Sequence, residues 1–526
     1  MTSTPEQTRS SVVPLAPRRD RPVAFVGFMG SGKTTAARAA GEIMQAVPID
    51  ADQVIEERLD KSIERVFAED GEAAFRAAEE LATLEILKDP GNRVVALGGG
   101  AVGSERVRDA LADRLVIWLD VDRDTAWARA HGSSRPLARE RTAFDALYTA
   151  REPLYAALAD AIVPAARSAS MAPVLESMRG LPAGSRMLWA TSASGDYPVY
   201  LGPGVLIERR FWPAVVEGRR FLVTDGRVGR HYGDVIEPVA GLVTVMPGEQ
   251  SKTVAHAEIV WTELVHAGMT RDDVLVALGG GVVGDLGGFC AATYQRGVRW
   301  VGVPTTLVAQ VDSAYGGKTG VDLAEAKNYV GAFHQPAAVI ADTATLATLA
   351  PEELSAGYAE VVKTALIAGG ALWERVRSGA DPADPEVILA CARTKLAIVA
   401  ADERDDGVRQ VLNLGHTVGH AIETATGYAR FRHGEAVALG LLAALRLSGL
   451  SDLRQEVESL LEARALPTTL TDVDTEVILA ATARDKKRRG EGPVPFVLLD
   501  APGRPRPGCP VAAGELAAAV AELVRA

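Results

Sequence analysis

A short segment near the start of the chain has the residue types and spacing of a phosphate-binding loop. Residues 27–34 read Gly-Phe-Met-Gly-Ser-Gly-Lys-Thr and follow the apolar run 22–26. Between a strand and a helix, such glycines let backbone N–H groups converge on phosphate oxygens. Lys33 would then reach the β- and γ-phosphates, and Thr34 would offer its hydroxyl to Mg²⁺. The segment therefore predicts a nucleotide site, and the alternative is a glycine-rich turn without a ligand.

Charged residues that fit a small-molecule kinase site follow at wider spacing. Asp50 and Asp52 alternate after a short apolar segment, so one carboxylate can lie near the metal and the other near a hydroxyl donor. Several arginines together can clamp a substrate carboxylate, because the guanidinium fork pairs with it through two hydrogen bonds. These are Arg76, Arg135 and Arg151. Taken singly, each arginine has the simpler interpretation of a solvated surface charge.

A second group of candidate residues lies in the C-terminal half. His416 and His420 are four residues apart and would share one helix face, and His433 follows. Spacing alone favours the first two as a metal-binding pair with His433 as third ligand. The alternative for any one of them is a hydrogen-bonded structural histidine. Other polar residues lie among glycines or on apolar stretches, which is unusual for surface positions. They are Arg296, Lys318, Lys327, Asn328, Glu360, Lys363, Lys395 and Arg409.

The elements that must position these residues alternate between apolar runs and helical stretches, which predicts an α/β fold. In the first half, buried parallel strands are expected at 23–26, 93–97 and 115–119. In the second half, strands are expected at 220–223, 242–245, 274–278 and 300–303. Beyond residue 352, stretches rich in Ala and Leu predict helices.

Composition suggests the domain boundaries. Residues 1–20 form a polar tail that is expected to be disordered, and 166–195 lack periodicity and are expected to be a linker. The remaining divisions are a P-loop domain at 21–165 and a second domain at 196–526, which divides into an α/β nucleotide-binding part at 196–351 and a helical metal-binding part at 352–526.

Two glycine-rich segments, 94–103 and 274–284, both match G-x-G-x-x-G after a predicted strand. Pattern alone would make each a dinucleotide site. Their surroundings do not otherwise align, so independent glycine turns are favoured over a duplication.

Overall composition narrows the partners and the compartment. The net charge of −12 over 526 residues argues against nucleic acid or an anionic membrane as partner. Neither a spanning apolar stretch nor a signal-peptide core is expected. Cys290, Cys391 and Cys509 lie far apart, so reduced thiols in a cytoplasmic protein are expected.

Taken together, the motifs of the first half resemble shikimate kinase across 21–165. The resemblance implies phosphorylation of the 3-hydroxyl of shikimate by Mg-ATP. It implies that Lys33, Asp52 and Arg135 act in catalysis, with Arg135 closing over the phosphates as a lid. The implied ATP contacts are Gly30, Ser31, Gly32, Lys33, Thr34, Thr35 and Arg135. The implied shikimate contacts are Asp52, Arg76, Gly99, Gly100 and Arg151, and the implied magnesium ligands are Thr34 and Asp50.

The second half resembles 3-dehydroquinate synthase across about 196–500, through the segments 247–252, 279–285, 304–312, 316–320 and 413–420. The resemblance implies zinc or cobalt bound by Glu360, His416 and His433, so His420 becomes a neighbour of the metal or substrate rather than a ligand. The implied catalytic residues are Arg296, Asp312, Lys318, Lys363 and His420. One departure is Tyr315, where a smaller aliphatic residue is expected.

The same resemblance implies NAD as cofactor and 3-deoxy-D-arabino-heptulosonate 7-phosphate as substrate. The implied NAD contacts are Asp225, Glu249, Lys252, Gly281, Gly284, Asp285, Thr305, Thr306, Lys318, Lys327 and Thr345. The implied substrate contacts are Arg296, Asp312, Lys318, Asn328, Lys363, Lys395, Arg409, Asn413, His420 and Lys486.

The sequence thus predicts a bifunctional enzyme with small-molecule substrates: a P-loop kinase domain with a parallel sheet, then a two-part synthase-like unit through which the chain forms a homodimer. The alternative is another P-loop metabolite kinase fused to a metal-dependent polyol dehydrogenase. The lysine-rich loops argue against that dehydrogenase, because a simple alcohol substrate does not need them. In a third interpretation, either half is a sensor that binds nucleotide without catalysis.

Overall fold

The computed structural model describes residues 21–132, 136–324, 326–483 and 494–524. The described chain forms two compact units that meet in sequence at Leu181 and Pro182. The predicted tail and two predicted site residues, Arg135 and Lys486, lie outside the described residues. Among the described helices, none is long and apolar enough to cross a membrane.

The first unit contains a parallel five-stranded sheet in the order β2-β3-β1-β4-β5. Its strands are β1 (Val23–Val26), β2 (Pro48–Asp50), β3 (Val94–Ala96), β4 (Leu115–Asp120) and β5 (Ala161–Pro164). Its helices are α1 (Lys33–Met44), α2 (Ala51–Leu59), α3 (Ile63–Glu69), α4 (Gly71–Lys88), α5 (Glu105–Ala110), α6 (Arg123–Ala130), α7 (Arg141–Leu158) and α8 (Met171–Ser177). The central strand β1 is entirely apolar and buried, as expected for a parallel strand with helices on both faces.

Parallel pairing brings the carboxyl ends of β1, β2 and β3 to one edge of this sheet. The loop 27–32 leaves β1, Asp50 ends β2, and the glycines 98–100 follow β3. In open α/β sheets, ligands bind at this edge. The topology therefore assembles the sequence-predicted kinase residues at one place.

The second unit begins with a seven-stranded sheet in the order β6-β7-β14-β11-β10-β8-β9, parallel except for the β6–β7 pair. These strands are β6 (Arg186–Ala190), β7 (Tyr197–Gly202), β8 (Arg220–Asp225), β9 (Val239–Val245), β10 (Val274–Gly279), β11 (Arg299–Pro304) and β14 (Ala338–Asp342). Two antiparallel hairpins join β12 (Lys318–Leu323) to β13 (Ala326–Phe333) and β15 (Phe496–Leu499) to β16 (Pro505–Cys509). The helices of the α/β part are α9 (Val228–Tyr232), α10 (Val254–His266) and α11 (Gly281–Thr293).

A helical part follows, as the Ala- and Leu-rich sequence predicted. It contains α12 (Pro351–Ala368), α13 (Gly370–Arg377), α14 (Pro385–Ala401), α15 (His416–Ala425), α16 (His433–Leu447), α17 (Ser451–Glu462), α18 (Thr475–Ala483) and α19 (Ala513–Ala521). Three of these helices pack closely through glycines. A Cβ added to Gly434 would overlap the carbonyl of Ala356 on α12, and one added to Gly440 would overlap the carbonyl of Gly415 before α15. Close packing of α16 thus brings the histidines that begin α15 and α16 near α12.

The predicted linker at 166–195 contains regular structure that its sequence did not indicate, helix α8 and strand β6. Helix α8 packs against α1, and β6 pairs antiparallel with β7. A proline in the first turn of α8 does not interrupt the helix, because the backbone N–H groups of a first turn make no intrahelical hydrogen bonds. The buried residues of β6 form a run too short to show a period between two glycine-containing turns. The division between the two units falls after Leu181, inside this segment.

The close approach of α16 predicts the effect of adding a single methyl group. Gly440→Ala should destabilise the second unit by about 1–3 kcal/mol, since overpacking a dense core forces backbone shifts. Gly514→Ala is the matched control, because a Cβ at Gly514 on α19 meets no atom within 4 Å. Chemical denaturation followed by tryptophan fluorescence measures both. Equal stabilities for the two variants would contradict the inferred packing constraint.

Candidate active sites

The loop between β1 and α1 has a backbone that favours glycine. Gly30 and Gly32 have φ of 80° and 88°, in the left-handed region that other residues rarely adopt. Lys33 begins α1 and folds its ammonium over the loop, donating to the carbonyls of Gly27 (2.9 Å) and Phe28 (3.2 Å). The cation therefore lies over the turn that would cradle phosphates. Ser31 is buried in this turn, and Thr35 is exposed in the first turn of α1.

Thr34 and Asp50 meet beside this loop. The Thr34 hydroxyl donates to Oδ2 of Asp50 at 2.6 Å. Oδ1 of Asp50 accepts from the backbone N–H of Asp52 and so caps α2. A hydroxyl next to a carboxylate supplies the oxygen ligands that Mg²⁺ prefers. The two residues fit a magnesium ion bound with a nucleotide.

The glycines after β3 form the floor of a charged pocket in the first unit. A Cβ on Gly98 would lie 2.7 Å from Oδ1 of Asp52, and one on Gly99 would lie 3.7 Å from Nη1 of Arg151. A Cβ on Gly100 would overlap the guanidinium of Arg76. The structure therefore brings Asp52, Arg76 and Arg151 together around the glycine turn.

A buried glutamate in this pocket was missed by the sequence analysis. Glu79 lies three residues after Arg76 on α4 and pairs with Nη1 of Arg76 at 2.5 Å. Burial raises the pKa of Glu79, while Arg76 lowers it. Burial also lowers the pKa of Arg151. The i, i+3 spacing of Arg76 and Glu79 was the available signal, since such residues share a helix face.

In the second unit, one glutamate faces two histidines. Oε1 of Glu360, on α12, is 3.4 Å from Nε2 of His416 and 3.2 Å from Nε2 of His433. The side chain of Glu360 is fully buried, and its Oε2 pairs with Lys363. These three residues form a group whose ligand atoms can meet at one metal ion. Two imidazoles and a carboxylate are a common donor set for catalytic zinc, which keeps a coordination position for substrate.

Burial and neighbouring charges shift the pKa values of these three residues in different directions. Nδ1 of His416 lies 3.2 Å from the carbonyl of Leu414, which leaves Nε2 on the metal side. Burial and the nearby ammonium of Lys363 lower the pKa of His416, which favours the neutral ligand form. Burial opposes a charged His433, but Glu360 and Glu423 beside it raise its pKa to about 10. Burial opposes ionisation of Glu360, but Lys363 and His416 hold its pKa well below its usual value.

A cluster of cations adjoins this group. Asp312 lies in a short π-helical segment, and its carboxylate is 2.6 Å from Nζ of Lys395 and 3.8 Å from Nζ of Lys363. Burial lowers the pKa of Lys395 to about 8, although Asp312 opposes the shift. Arg409 is buried and donates to the carbonyls of Glu403 and Gly316. The pocket therefore places two buried lysines beside the carboxylate of Asp312, and one of them, Lys363, also pairs with Glu360.

A cleft of about 380 Å³, counting its open mouth, lies at the carboxyl ends of β10 and β11. Its lining includes Gly281, Gly284, Asp285 and Lys318. Beside it, Lys252 pairs with Asp285 at 2.6 Å and lies 3.9 Å from Glu249.

Other residues predicted for NAD lie at strand ends or in the interior. Asp225 is the last residue of β8, and its carboxylate accepts from two N–H groups at the start of α9. Thr305 and Thr306 follow β11, and the latter accepts from the N–H of Ala309. The hydroxyl of Thr345 is buried and bonds to the carbonyl of Asp342 and the amide of Gln310.

Four predicted substrate residues lie in four different elements: a turn, a strand, a 3₁₀ turn and a helix. Arg296 is exposed in the turn between α11 and β11 with φ of 67°, and Asn328 is exposed on β13 with φ of 55°. Asn413 ends a 3₁₀ turn just before α15. On α15, His420 has its ring centroid 5.3 Å from that of His416 and 5.9 Å from that of His433. The structure thus brings His420 to the metal-binding group.

Two acidic residues of this site were missed by the sequence analysis. Glu423 lies beside His433 and Lys327, and Asp405 pairs with Lys318 at 2.5 Å. The only signals were the i, i+3 spacing from His420 to Glu423 and the acidic run around Asp405. Tyr315 is buried, and its hydroxyl donates to the carbonyl of Gln310 at 2.7 Å in the π-helical segment that carries Asp312.

Family models match most of the chain. A shikimate kinase model matches residues 29–179. A model of the N-terminal part of 3-dehydroquinate synthase matches 242–356, and a model of its C-terminal part matches 357–488.

Individual proteins similar to the second unit give the same family. The 3-dehydroquinate synthase of Halorhodospira halophila is 44% identical over 337 residues, which are 60% of this chain and 94% of that protein. That of Agrobacterium fabrum is 40% identical over 371 residues, 65% of this chain and 97% of that protein. A solved 2-epi-5-epi-valiolone synthase from Streptomyces hygroscopicus, with NAD⁺ and Zn²⁺ bound, has 26% identity and a TM-score of 0.57, covering 62% of this chain and 96% of that one.

Proposed function

Because the chain belongs to the 3-dehydroquinate synthase family and carries a shikimate kinase domain, we propose that it catalyses two reactions of one biosynthetic route. The first unit phosphorylates shikimate at its 3-hydroxyl with Mg-ATP. The second unit converts 3-deoxy-D-arabino-heptulosonate 7-phosphate to 3-dehydroquinate and phosphate. The observation that carries the synthase assignment is the convergence of Glu360, His416 and His433 beside a buried cationic pocket.

In the kinase reaction, the residues of the first unit position the reactants. The loop 27–32 and Lys33 would hold the phosphates of ATP, and Thr34 with Asp50 would hold Mg²⁺. Arg76 and Arg151 would bind the shikimate carboxylate, with Asp52 near the attacking hydroxyl. Positioning and charge neutralisation supply most of the catalysis in phosphoryl transfer.

In the synthase reaction, Glu360, His416 and His433 would hold zinc or cobalt. The solved valiolone synthase binds Zn²⁺ and NAD⁺, which supports the same pair of groups here. When bound, the metal favours ionisation of a substrate hydroxyl, and NAD supplies reversible hydride transfer. The chain's own residues bind and orient the substrate: Lys363, Lys395 and Arg409 would neutralise its carboxylate and phosphate, and Asp312 would bind a hydroxyl.

The steps of the synthase reaction explain why cations are concentrated in the pocket of the second unit. Bound NAD would supply the oxidation of one hydroxyl to a ketone and its later reduction. The ketone would acidify the adjacent C–H so that phosphate can leave before the ring opens and the carbocycle closes. The substrate's own phosphate can remove the proton. Since NAD is regenerated, the pocket must retain charged intermediates until the last step, and buried lysines serve that purpose.

A metal-dependent polyol dehydrogenase is the competing function for the second unit. Such an enzyme would form one NADH for each substrate oxidised. The synthase releases phosphate with no net NADH. Incubation of enzyme, NAD⁺ and heptulosonate phosphate, with phosphate and absorbance at 340 nm followed together, separates the two functions.

We further propose that the chain forms a homodimer through the second unit and works in the cytoplasm. Strand β9 lies at the end of the seven-stranded order, and its Leu242 is 58% exposed. On α10, Ile259 and Val265 are also exposed. An unpaired strand edge with apolar neighbours favours association with a second copy. The three cysteines have free thiols, which suits a reducing compartment.

The two sites predict separable losses of activity. Lys33→Met should abolish phosphorylation of shikimate and leave phosphate release from the heptulosonate unchanged, because each site lies within its own unit. Glu360→Gln should abolish the second activity and leave the first. Coupled assays of both reactions on each purified variant measure this. Full activity of either variant in its own reaction would refute the corresponding site.

The pKa of Lys395 predicts a pH dependence for the synthase. Burial lowers this pKa to about 8, so the ammonium that binds the substrate anion is lost as pH rises through 8. At pH 9 roughly one tenth of the lysine stays protonated, so KM should rise about tenfold between pH 7 and 9. The KM of Lys395→Met should already be high at pH 7 and should not change between pH 7 and 9. The kinase KM of the same samples is the control, and a wild-type synthase profile as flat as that of the variant would contradict the assignment.

The exposed edge of β9 predicts the effect of a charge there. Leu242→Lys should shift the chain from dimer to monomer, because an ammonium at an apolar interface loses its hydration. Light scattering on a sizing column measures the mass. The control is Leu81→Lys, at an exposed leucine on α4 of the first unit. A dimer that survives Leu242→Lys would exclude this edge as the contact.

A further inference from the structure

The carboxylate of Glu423 lies between a predicted metal ligand and a lysine of the dinucleotide pocket. Its Oε2 is 3.5 Å from Nδ1 of His433, and its Oε1 is 3.7 Å from Nζ of Lys327. The Glu423 side chain is only 5% exposed. Its two oxygens therefore face two different sites from a buried position on α15.

On the metal side, the two nitrogens of His433 have different neighbours. Nε2 is 3.2 Å from Glu360, within the metal-binding group, and Nδ1 faces Glu423. An imidazole that gives Nε2 to a metal keeps its proton on Nδ1 and needs an acceptor there. A carboxylate in that place fixes the tautomer and the ring orientation and strengthens electron donation to the metal.

On the dinucleotide side, Lys327 is shared between two carboxylates. Its Nζ is 3.6 Å from Oε1 of Glu249 and 3.7 Å from Oε1 of Glu423, and it lies 4.6 Å from the ring centre of Tyr428. Glu249 also lies 3.9 Å from Lys252, which pairs with Asp285 at the cleft. A continuous series of ion pairs thus leads from the cleft to the ring of His433.

We propose that Glu423 is a positioning residue for metal binding and that, through Lys327, it couples the metal site to the dinucleotide site. The identity of the two groups rests on the proposed function. A dinucleotide carries negative phosphates that attract Lys327 away from Glu423. The carboxylate, relieved of its cation, accepts a stronger hydrogen bond from His433, so bound dinucleotide tightens the metal. By linkage, the metal tightens the dinucleotide by the same factor.

The test compares Glu423→Gln with the full wild-type chain, each stripped of metal. The amide keeps the shape of the side chain but removes its charge. Competition with a chromophoric chelator gives the Zn²⁺ and Co²⁺ dissociation constants, and Glu423→Gln should weaken both about 10- to 100-fold. The visible absorption of bound Co²⁺ should also shift, because the field of the imidazole ligand changes. Glu456→Gln is the matched control. It removes a carboxylate on α17 that pairs with Arg377, and its metal affinity should match that of wild type.

The second arm measures coupling as the ratio of metal dissociation constants without and with saturating NAD⁺. Wild type should give a ratio of about five or more. Glu423→Gln and Lys327→Met should each bring the ratio to about one, the latter at an NAD⁺ concentration that saturates the variant.

Two results would overturn the proposal. Metal affinity of Glu423→Gln within twofold of wild type removes the positioning role, and a ratio near one in wild type, or unchanged in the variants, removes the coupling. Neither readout requires turnover. A wild-type chain that binds metal and NAD⁺ cooperatively but releases no phosphate from the heptulosonate would therefore refute the proposed function alone.

Discussion

Buried charge that is balanced by neighbouring charge is the constraint on which the synthase unit depends. Glu360 and Lys363 are both essentially inaccessible to solvent, one helical turn apart on α12. An isolated ion in that position would be prohibitively costly to desolvate, so each needs a partner at short range. Glu360 and Lys363 pair with each other, and the histidines of α15 and α16 and the carboxylate of Asp312 lie 3.2 to 3.8 Å from them. Burial of this part of α12 therefore relies on the same contacts that form the site.

The first unit meets the same requirement in another way. There the charged groups converge on a glycine turn whose missing side chains leave the space that Arg76, Arg151 and Asp52 occupy. Glu79 pairs with Arg76 from the same helix, so the arginine is held in place before any ligand binds. In both units an internal acid holds a cation that we propose binds an anionic metabolite. This explains how a chain with a net charge of −12 can handle acidic substrates.

Local patterns in the sequence predicted elements whose signal lies within a few residues. The apolar run of β1 and the glycines after it specified strand, turn and helix in sequence, and the structure has them there. Strand β6, within the segment 166–195, was not predicted because it owes its burial to pairing with β7, which no local period reveals. Spacing also favoured His420 over Glu360 as a metal ligand. Glu360 reaches His416 through tertiary packing of their helices, which spacing in the sequence does not show. Only the family resemblance indicated Glu360 as a ligand.

Two of the three residues that face the metal position, His416 and His433, are the first residues of their helices. The packing of helix bodies, fixed by contacts such as those at Gly440, sets where those first residues lie. The residues directly before α15 take part in this packing, since Gly415 meets Gly440 and the carbonyl of Leu414 lies 3.2 Å from Nδ1 of His416. Insertions or deletions farther back in the connecting segments are compatible with an unchanged set of ligand positions, and there related chains can diverge in length without losing chemistry.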